Sequence, residues 1–362
     1  MKAWRFHSED DWRLDDIEEP SPGPEDVVVE VKVVQPSITE VVARDSDDTP
    51  VARRFRELLS RGEPWGFFGH ELCGVVTSVG ENVSRFKTGD RVATFRSYAS
   101  CGQCGLCASG QTDRCRAGRA LGMDIPGAFA ESASIPQDCL VRVPDNVDDQ
   151  QAATIQPLAH CMGCLGTSGV QPEDTLVILG QGVLGLGILQ LAKARGVMNV
   201  YTTDVRERNL ELSGQLGSDL VLNGTDNNLT EAVLGETDGQ GADVIIEVAG
   251  GSPRYGLAGW SCFQQALELV RDGGRIVVAS LNTGNVPVDA SLLSARGLQL
   301  LWPLAAPRRY EDWVMSLMDS GRLTTKPMIL KTVNGLENVP EAFQITADKT
   351  KYQTINPCQV IL

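Results

Sequence analysis

The first 150 residues carry short runs rich in β-branched residues, separated by proline and glycine. Such runs predict strands, here EDVVVEVKVV, ELCGVVTSVG, DRVATF and CLVRVP. We expect them to form antiparallel strands of a compact, barrel-like domain. The run GFFGHELCGVV, residues 66–76, is also read as a strand, although it carries His70 and Glu71 side by side.

From Asp174 onward, buried apolar strands alternate with helical patterns. The pairs are TLVILG with LGLGILQLAKARG, NVYTTD with RNLELSGQLG, and ADVIIEVAG with FQQALELV, followed by the strand GRIVVAS. Such alternation predicts βαβ units and a parallel sheet. A further strand candidate, LQLLWPLA, precedes an amphipathic helix, YEDWVMSLMDSG, and a return to short strands.

These patterns divide the chain into three segments. We predict a β-rich domain over residues 1–155, a parallel α/β domain over residues 156–304, and a tail over residues 305–362 that rejoins the first domain. Two domains suit a chain of 362 residues, which is too long for one ordinary core.

Composition and charge narrow the choice of partners. The chain is 42% hydrophobic and 22% charged, and no apolar run reaches the ~18 residues that a membrane span needs. The N-terminal MKAWRFHSEDDW turns acidic at once, so we expect no signal peptide and a cytoplasmic enzyme. The net charge of -15 would repel nucleic acid and anionic membranes, which leaves a small molecule as the expected partner.

A glycine-rich turn follows the first strand of the α/β segment. Gly180, Gly182 and Gly185 fit G-x-G-x-x-G between a strand and a helix, and Val183 and Leu184 open that helix. The first glycine allows the tight turn, the second lets a pyrophosphate approach, and the third lets the helix pack on the strand. This context favours a dinucleotide site over a glycine-rich turn without a ligand, because the helix offers free N–H donors to the phosphates.

The second strand of this segment ends at Asp204, 24 residues beyond Gly180. An acidic side chain at about this separation binds the ribose hydroxyls of NAD and repels the 2′-phosphate of NADP. Arg206 and Arg208 follow closely and weaken the expected preference for NAD. The alternative is a solvated loop aspartate.

Four of the ten cysteines, Cys101, Cys104, Cys107 and Cys115, lie within 15 residues. The spacing C-x2-C-x2-C-x7-C is typical of metal chemistry rather than of disulfides in a reducing compartment. Four thiolates complete a tetrahedral shell, which predicts a structural zinc; an iron–sulfur cluster is the alternative.

These features, in this order, resemble the zinc-containing medium-chain dehydrogenase/reductase family, the alcohol and polyol dehydrogenases. The resemblance also rests on SPGPEDVVVEVKVV, GHELCGVVTSVGENVSRFKTGDRV, GAFAESASIP and MDSGRL. It implies a GroES-like β-rich catalytic domain, a Rossmann doubly wound parallel sheet, NAD as cofactor, and a homodimer or homotetramer.

The resemblance further implies a catalytic zinc, held by a cysteine, by the histidine of GHE, and by a cysteine or glutamate at the start of the linking helix. His70 and the assisting Glu71 match this pattern, but Ser37 replaces the cysteine and Gln156 the glutamate. Neutral hydroxyl and amide groups are poor zinc donors, so the predicted shell is depleted. Further ligands would have to come from nearby histidines and cysteines: Cys73, His160, Cys161 or Cys164.

Proton transfer is the other role that the resemblance assigns. It places Thr39 at the hydroxyl that relays the substrate proton, and Val42 where many members carry a relay histidine. If the linking helix begins near Gln156, His160 lies one turn on and on the same face. His160 is therefore a candidate acid or base, with a packed helix histidine as the alternative.

The leading function is an NAD-dependent oxidoreductase that moves a hydride between nicotinamide and an alcohol or carbonyl carbon. Thr39, Glu71 and the two histidines His70 and His160 are the candidate catalytic residues. The alternatives are a zinc-free reductase of activated C=C bonds or quinones, and a non-catalytic NAD-binding protein.

Overall fold

The computed structural model describes residues 1–45, 49–226, 228–282, 284–303 and 308–362. The chain divides into two compact units, Met1–Ala159 with Pro307–Leu362, and His160–Ala306. The predicted segment boundaries remain a prediction, and the one after residue 304 lies outside the described residues.

The first unit begins with short strands and helices that alternate irregularly. Its elements before the linking helix are β1 (Lys2–Ser8), β2 (Asp11–Asp16), β3 (Asp26–Gln35), α1 (Ile38–Arg44), α2 (Pro50–Leu59), β4 (Glu71–Val79), β5 (Arg91–Thr94), β6 (Tyr98–Ala99), α3 (Gly105–Ala108), β7 (Arg119–Ala120), β8 (Ser132–Pro136), β9 (Leu140–Arg142) and α4 (Asp149–Ala152). The linking helix α5 (Ile155–Ser168) begins in the first unit and ends in the second.

The second unit repeats a strand followed by a helix. Its elements after α5 are β10 (Thr175–Leu179), α6 (Val183–Ala194), β11 (Asn199–Asp204), α7 (Glu207–Gln215), β12 (Leu220–Asn223), α8 (Leu229–Gly235), β13 (Ala242–Glu247), α9 (Ser261–Leu269), β14 (Val270–Val278), α10 (Ala290–Arg296) and β15 (Gln299–Leu301). The remaining elements belong to the first unit: α11 (Glu311–Asp319), β16 (Thr332–Asn334), α12 (Val339–Ala347), α13 (Lys349–Tyr352) and β17 (Gln359–Ile361).

The first unit is built on a seven-stranded sheet in the order β16-β17-β3-β4-β5-β9, with β8 also paired to β3. Antiparallel pairing joins β3 to β4, β8 and β17, as the short strand runs predict. The strand β17 comes from the C-terminus, so the tail completes this sheet.

The second unit contains a six-stranded sheet in the order β12-β11-β10-β13-β14-β15, in which every pairing is parallel. Numbered within the unit, this order is 3-2-1-4-5-6, that of the doubly wound dinucleotide-binding fold. Apolar strand residues such as Val177, Ile245 and Ile276 form a fully buried core with Phe263 of α9. None of the helices within the described residues is long and apolar enough to cross a membrane.

One sequence expectation is wrong in detail. The run over residues 66–76 is not a strand throughout, since β4 begins only at Glu71. Phe68 (φ 69°) and Gly69 (φ 82°) adopt left-handed conformations that a strand cannot contain. His70 therefore lies at the end of a loop.

Candidate active site and zinc lobe

The loop before β4 is anchored on both sides of its turn. Phe67 and Phe68 are fully buried, and Phe68 packs against Phe6 with ring centroids 5.4 Å apart. Backbone hydrogen bonds join Phe68 to the carbonyl of Gly122 and Gly127 to the carbonyl of Gly66. A left-handed non-glycine residue costs roughly 1–2 kcal/mol, which this burial offsets. The loop thus holds His70 in a fixed position.

His70 is paired with a glutamate of α1. Its Nδ1 lies 2.6 Å from Oε1 of Glu40, and its Nε2 lies 3.8 Å from Oε1 of Glu71. Burial disfavours the charged imidazolium, but the charge and hydrogen bond of Glu40 and the charge of Glu71 outweigh burial and raise the pKa of His70 to about 9. The imidazole is 16% exposed, so it is open to a ligand.

Glu40 is held by the start of its own helix. Ser37 is the N-cap of α1: its Oγ accepts the N–H of Glu40 at 3.2 Å, and Oε2 of Glu40 accepts the N–H of Ser37 at 3.0 Å. Such a reciprocal pair is a capping box. The other oxygen, Oε1, also accepts the N–H of Gly69 at 2.8 Å. One oxygen of Glu40 therefore caps α1 while the other orients His70.

Glu71 is held by a buried amide. Nε2 of Gln35 donates to Oε2 of Glu71, while Oε1 of Gln35 accepts from Nδ2 of Asn356 at 2.8 Å and from Nε2 of Gln359 at 2.9 Å. Gln35, Asn356 and Gln359 are 1% exposed or less. Burial raises the pKa of Glu71 to about 7, against the charge of His70 and the hydrogen bond of Gln35.

The other predicted catalytic residues lie on two helices. Thr39 is in the first turn of α1, and Val42 is buried one turn later. Gln156 and His160 are on α5, four residues apart as expected. Burial lowers the pKa of His160, so this imidazole is neutral near pH 7.

The predicted phosphate loop joins β10 to α6. Gly180 has φ 98°, and a Cβ there would lie 2.7 Å from the Cβ of Ala249. A Cβ on Gly185 would lie 1.8 Å from the carbonyl oxygen of Gly180, so helix and turn touch here. A Cβ on Gly182 would meet nothing within 4 Å, which leaves open space at the N-terminus of α6 beside Val183. This geometry fits a pyrophosphate.

Asp204 ends β11 beside this loop. Its Oδ2 accepts the N–H of Gln181 at 2.7 Å and Nδ2 of Asn209 at 3.0 Å, and its Oδ1 accepts the N–H groups of Val205 and Arg206 at 2.9 Å each. Nε of Arg206 lies 3.4 Å from Oδ1 and forms an ion pair. The carboxylate is thus fixed at the end of β11, and its charge is partly balanced by Arg206.

Glu247, which the sequence analysis did not single out, orders the neighbouring loop after β13. Its Oε1 accepts the N–H groups of Ala249 and Gly250, and its Oε2 accepts the hydroxyl of Ser280. The side chain is fully buried, and burial raises its pKa. Ala249 contacts Gly180 in the turn after β10, so Glu247 supports that turn between the neighbouring strands β10 and β13.

The four-cysteine lobe brings its sulfurs together. Sγ of Cys104 lies 3.5 Å from that of Cys107 and 3.9 Å from that of Cys115, and Cys101 and Cys107 are 3.9 Å apart. Tetrahedral zinc with bonds of ~2.3 Å requires about 3.8 Å between sulfurs. Backbone N–H groups of Gln103 and Cys104 lower the pKa of Cys101 to about 6, which favours its thiolate. The lobe fits a structural zinc.

Comparison with known proteins identifies the family. Residues 23–145 match the model of the alcohol dehydrogenase GroES-like domain, and residues 183–320 match that of the zinc-binding dehydrogenases. L-threonine 3-dehydrogenase of Pyrococcus abyssi is 28% identical over 334 residues, 92% of this chain and 91% of that protein. Alcohol dehydrogenase of Geobacillus stearothermophilus is 30% identical over 280 residues, 76% of this chain and 77% of that protein. The chain belongs to the zinc-type alcohol dehydrogenase family.

The solved structure of alcohol dehydrogenase TADH from Thermus sp. ATN1 has the same fold, with a TM-score of 0.82 at 23% identity, covering 100% of this chain and 99% of that one. Family membership confirms the predicted GroES-like and Rossmann fold class and the predicted class of enzyme, a nicotinamide-dependent dehydrogenase of small molecules. It also confirms zinc and NAD as the cofactors of this kind of enzyme.

A second, catalytic zinc does not fit the residues that are present. The only group of three or more histidine, cysteine or carboxylate ligands in the described part of the chain is the four-cysteine cluster. The hydroxyl of Ser37 caps α1 and Glu71 is bonded to Gln35, whereas the bond between Nδ1 of His70 and Glu40 leaves Nε2 open. Of the ligands that the resemblance implies, Nε2 of His70 and the neutral amide of Gln156 remain, whereas zinc sites use several charged donors.

Two residues at this site, Glu40 and Gln35, were not predicted. Glu40 follows Ser37 by three residues, so the S-x-x-E pattern of a capping box was present in the sequence. Gln35 carries no comparable signal, because its partners Asn356 and Gln359 lie more than 300 residues away along the chain.

Proposed function

We propose that the protein is an NAD-dependent dehydrogenase that interconverts an alcohol or polyol and the corresponding carbonyl compound. The observation that carries the proposal is the pairing of the open Gly182 turn with the fixed carboxylate of Asp204 at one edge of the parallel sheet. Threonine and alcohol dehydrogenases, the relatives of this chain, act on hydroxyl groups. When bound, NAD supplies the hydride acceptor.

The chain's own residues would bind and orient this cofactor. The N–H groups at the start of α6, from Val183 and Leu184, face the open space left by Gly182 and can donate to a pyrophosphate. Asp204 would accept the ribose hydroxyls after giving up one of its present donors, such as Asn209. Its charge disfavours a 2′-phosphate, which supports NAD over NADP.

Cofactor titration tests this proposal. Tryptophan or nicotinamide fluorescence should report tighter binding of NADH than of NADPH, and a panel of alcohols, polyols and hydroxy acids should show NAD-dependent turnover. Binding of neither nucleotide would contradict the assignment of the loop. Turnover restricted to quinones or conjugated C=C bonds would favour the alternative, a zinc-free reductase. The poor fit of the residues to a second, catalytic zinc supports this alternative. Binding without any turnover would indicate a non-catalytic NAD-binding protein.

We further propose a cytoplasmic homodimer or homotetramer. All ten cysteines are free thiols, and four of them form the zinc lobe, which agrees with a reducing compartment. The oligomeric state is checked by light scattering of the purified protein.

A further inference from the structure

His70 faces a carboxylate at each ring nitrogen. Nδ1 is 2.6 Å from Oε1 of Glu40, the length of a charge-assisted hydrogen bond, whereas Nε2 is 3.8 Å from Oε1 of Glu71, which is too long for one. Among the described residues no hydrogen-bond partner is found for Nε2. The imidazole therefore has one nitrogen fixed by the protein and one nitrogen available to a ligand.

We propose that this Glu40–His70 pair replaces the catalytic metal, with Nε2 of His70 exchanging a proton with the substrate oxygen, and that the chain binds one zinc only, in the four-cysteine lobe. The proposal rests on the proposed dehydrogenase function. In oxidation, the O–H bond of the alcohol would break and its proton would pass to Nε2 as C=O forms, while bound NAD would supply the acceptor for the hydride and its electron pair. In reduction, Nε2–H returns the proton to the oxygen as the hydride arrives.

Glu40 is the positioning residue of this pair. With Nδ1–H directed at Glu40, the neutral imidazole must carry its lone pair on Nε2, as proton acceptance from an alcohol requires. The developing imidazolium is stabilised by the same carboxylate. Because Oε2 of Glu40 caps α1 and Oε1 also accepts from Gly69, the carboxylate cannot turn away without breaking two further hydrogen bonds.

Gln35 explains why Glu71 does not serve as a metal ligand. The carbonyl oxygen of Gln35 accepts from Asn356 and Gln359, so the amide NH2 must face Glu71. Both amide donors are themselves buried, and Nε2 of Gln359 is also bonded to the carbonyl of Gln150 at 2.7 Å. A turn of Glu71 toward a metal would leave the NH2 of Gln35 buried with only a 3.4 Å contact to Asn356.

Zinc content of protein purified from zinc-supplemented cells tests the metal half of the proposal without any substrate. We expect one zinc per chain in the parent protein, the same value in His70→Asn, and none in Cys104→Ser. Two zinc ions per chain in the parent protein, with one lost in His70→Asn, would overturn the proposal. This count stands even if the proposed alcohol dehydrogenase function fails, because that function is decided by cofactor binding and turnover.

Kinetics test the catalytic half with a matched pair of variants. His70→Asn should lower kcat by ~10²–10⁴, the usual contribution of a positioned acid or base. Glu40→Gln, which keeps an oxygen to cap α1, should lower kcat less, leave the KM for NAD unchanged, and move the pH profile of oxidation to lower pH. Glu40 of α1 and Glu71 of β4 are the charged groups that act on His70.

The control is Asp15→Asn, since Oδ2 of Asp15 lies 2.8 Å from Nε2 of His7 in a similar pair on the β1–β2 hairpin. This variant should leave kcat and its pH profile unchanged. Near-normal turnover of His70→Asn, or an unchanged pH profile in Glu40→Gln, would refute the role of the pair. Turnover abolished by zinc chelation while the lobe keeps its zinc would refute it as well.

Discussion

Replacing Glu40 by glutamine should lower the pKa of His70 steeply. The pKa rises from 6.5 to about 9 in the folded chain although burial opposes the charged form. At about 1.36 kcal/mol per pH unit, this rise corresponds to ~3 kcal/mol in favour of the imidazolium. Glutamine keeps the shape and one acceptor oxygen but removes the nearer of the two charges. We therefore expect the pKa to fall by about two pH units, to near the ordinary value.

The chain suits this measurement because it has only three histidines, His7, His70 and His160. With selectively labelled histidine, the Cε1–H resonances can be followed by NMR from acid to alkaline pH and assigned from His7→Asn and His160→Asn. The His70 resonance should titrate near pH 9 in the parent protein. Asp15→Asn, the matched carboxylate change at His7, should leave the His70 resonance unmoved.

Stability gives an independent readout with a definite sign. The folded-state pKa of His70 lies above its unfolded value, so protonated His70 stabilises the fold fully below about pH 6.5, and this contribution is lost as the pH rises through about 9. Glu40→Gln should thus be less stable than the parent near pH 6, and the difference should shrink above pH ~9. A His70 resonance that titrates near 6.5 in the parent protein, or that does not respond to Glu40→Gln, would refute this reasoning.

Three further predictions concern the other sites. Cys104→Ser should release the lobe zinc and lower the melting temperature, whereas Cys262→Ser, outside the cluster, should keep full metal content by atomic absorption; zinc retained by Cys104→Ser would contradict the assignment. Asp204→Asn should weaken NADH binding and reduce the difference between the dissociation constants for NADH and NADPH in fluorescence titrations, because the charge that repels a 2′-phosphate is gone. An unchanged ratio of the two dissociation constants would contradict the role of Asp204. His160→Asn should lower kcat less than His70→Asn in steady-state assays, since burial lowers the pKa of His160 and no charge raises it; a larger loss would transfer proton exchange to His160.

Most of the fold could be predicted from the sequence because local residue patterns indicate its strands, helices and metal lobe. The alternating strands and helices after Asp174 predict the parallel sheet, and the four-cysteine spacing predicts a lobe whose sulfurs lie within 4.8 Å of one another. Each of these signals lies within a short stretch of chain. The loop at residues 66–70 resembles a strand in the sequence because its apolar residues, Phe67 and Phe68, are buried by long-range packing and not by alternation along a strand.

The candidate site could be predicted only in part, because several of its contacts join residues that are distant along the chain. His70 and Glu71 stand in a recognisable motif, but their partners come from elsewhere: Glu40 lies 30 residues earlier, and Gln35 depends on the C-terminal strand segment. The sequence predicts that two of the implied zinc ligands are replaced, but it does not show what the replacements bind. The missing ligands suggest a lost zinc site, whereas in the structure Ser37, His70 and Glu71 each have a specific hydrogen-bond partner.

The replacement of cysteine by serine at residue 37 has a structural consequence that favours the metal-free arrangement. Serine is among the preferred N-cap residues, and an N-cap hydroxyl contributes about 0.5–2 kcal/mol to helix stability. Ser37 uses this hydroxyl on the N–H of Glu40, and Glu40 returns the contact with the oxygen that does not touch His70. The residue that replaces the metal-binding cysteine of the resembled family thus caps the helix that carries Glu40. The carboxylate of Glu40 joins this capping box to His70, and recruiting the Ser37 hydroxyl to a metal would break its bond to the N–H of Glu40.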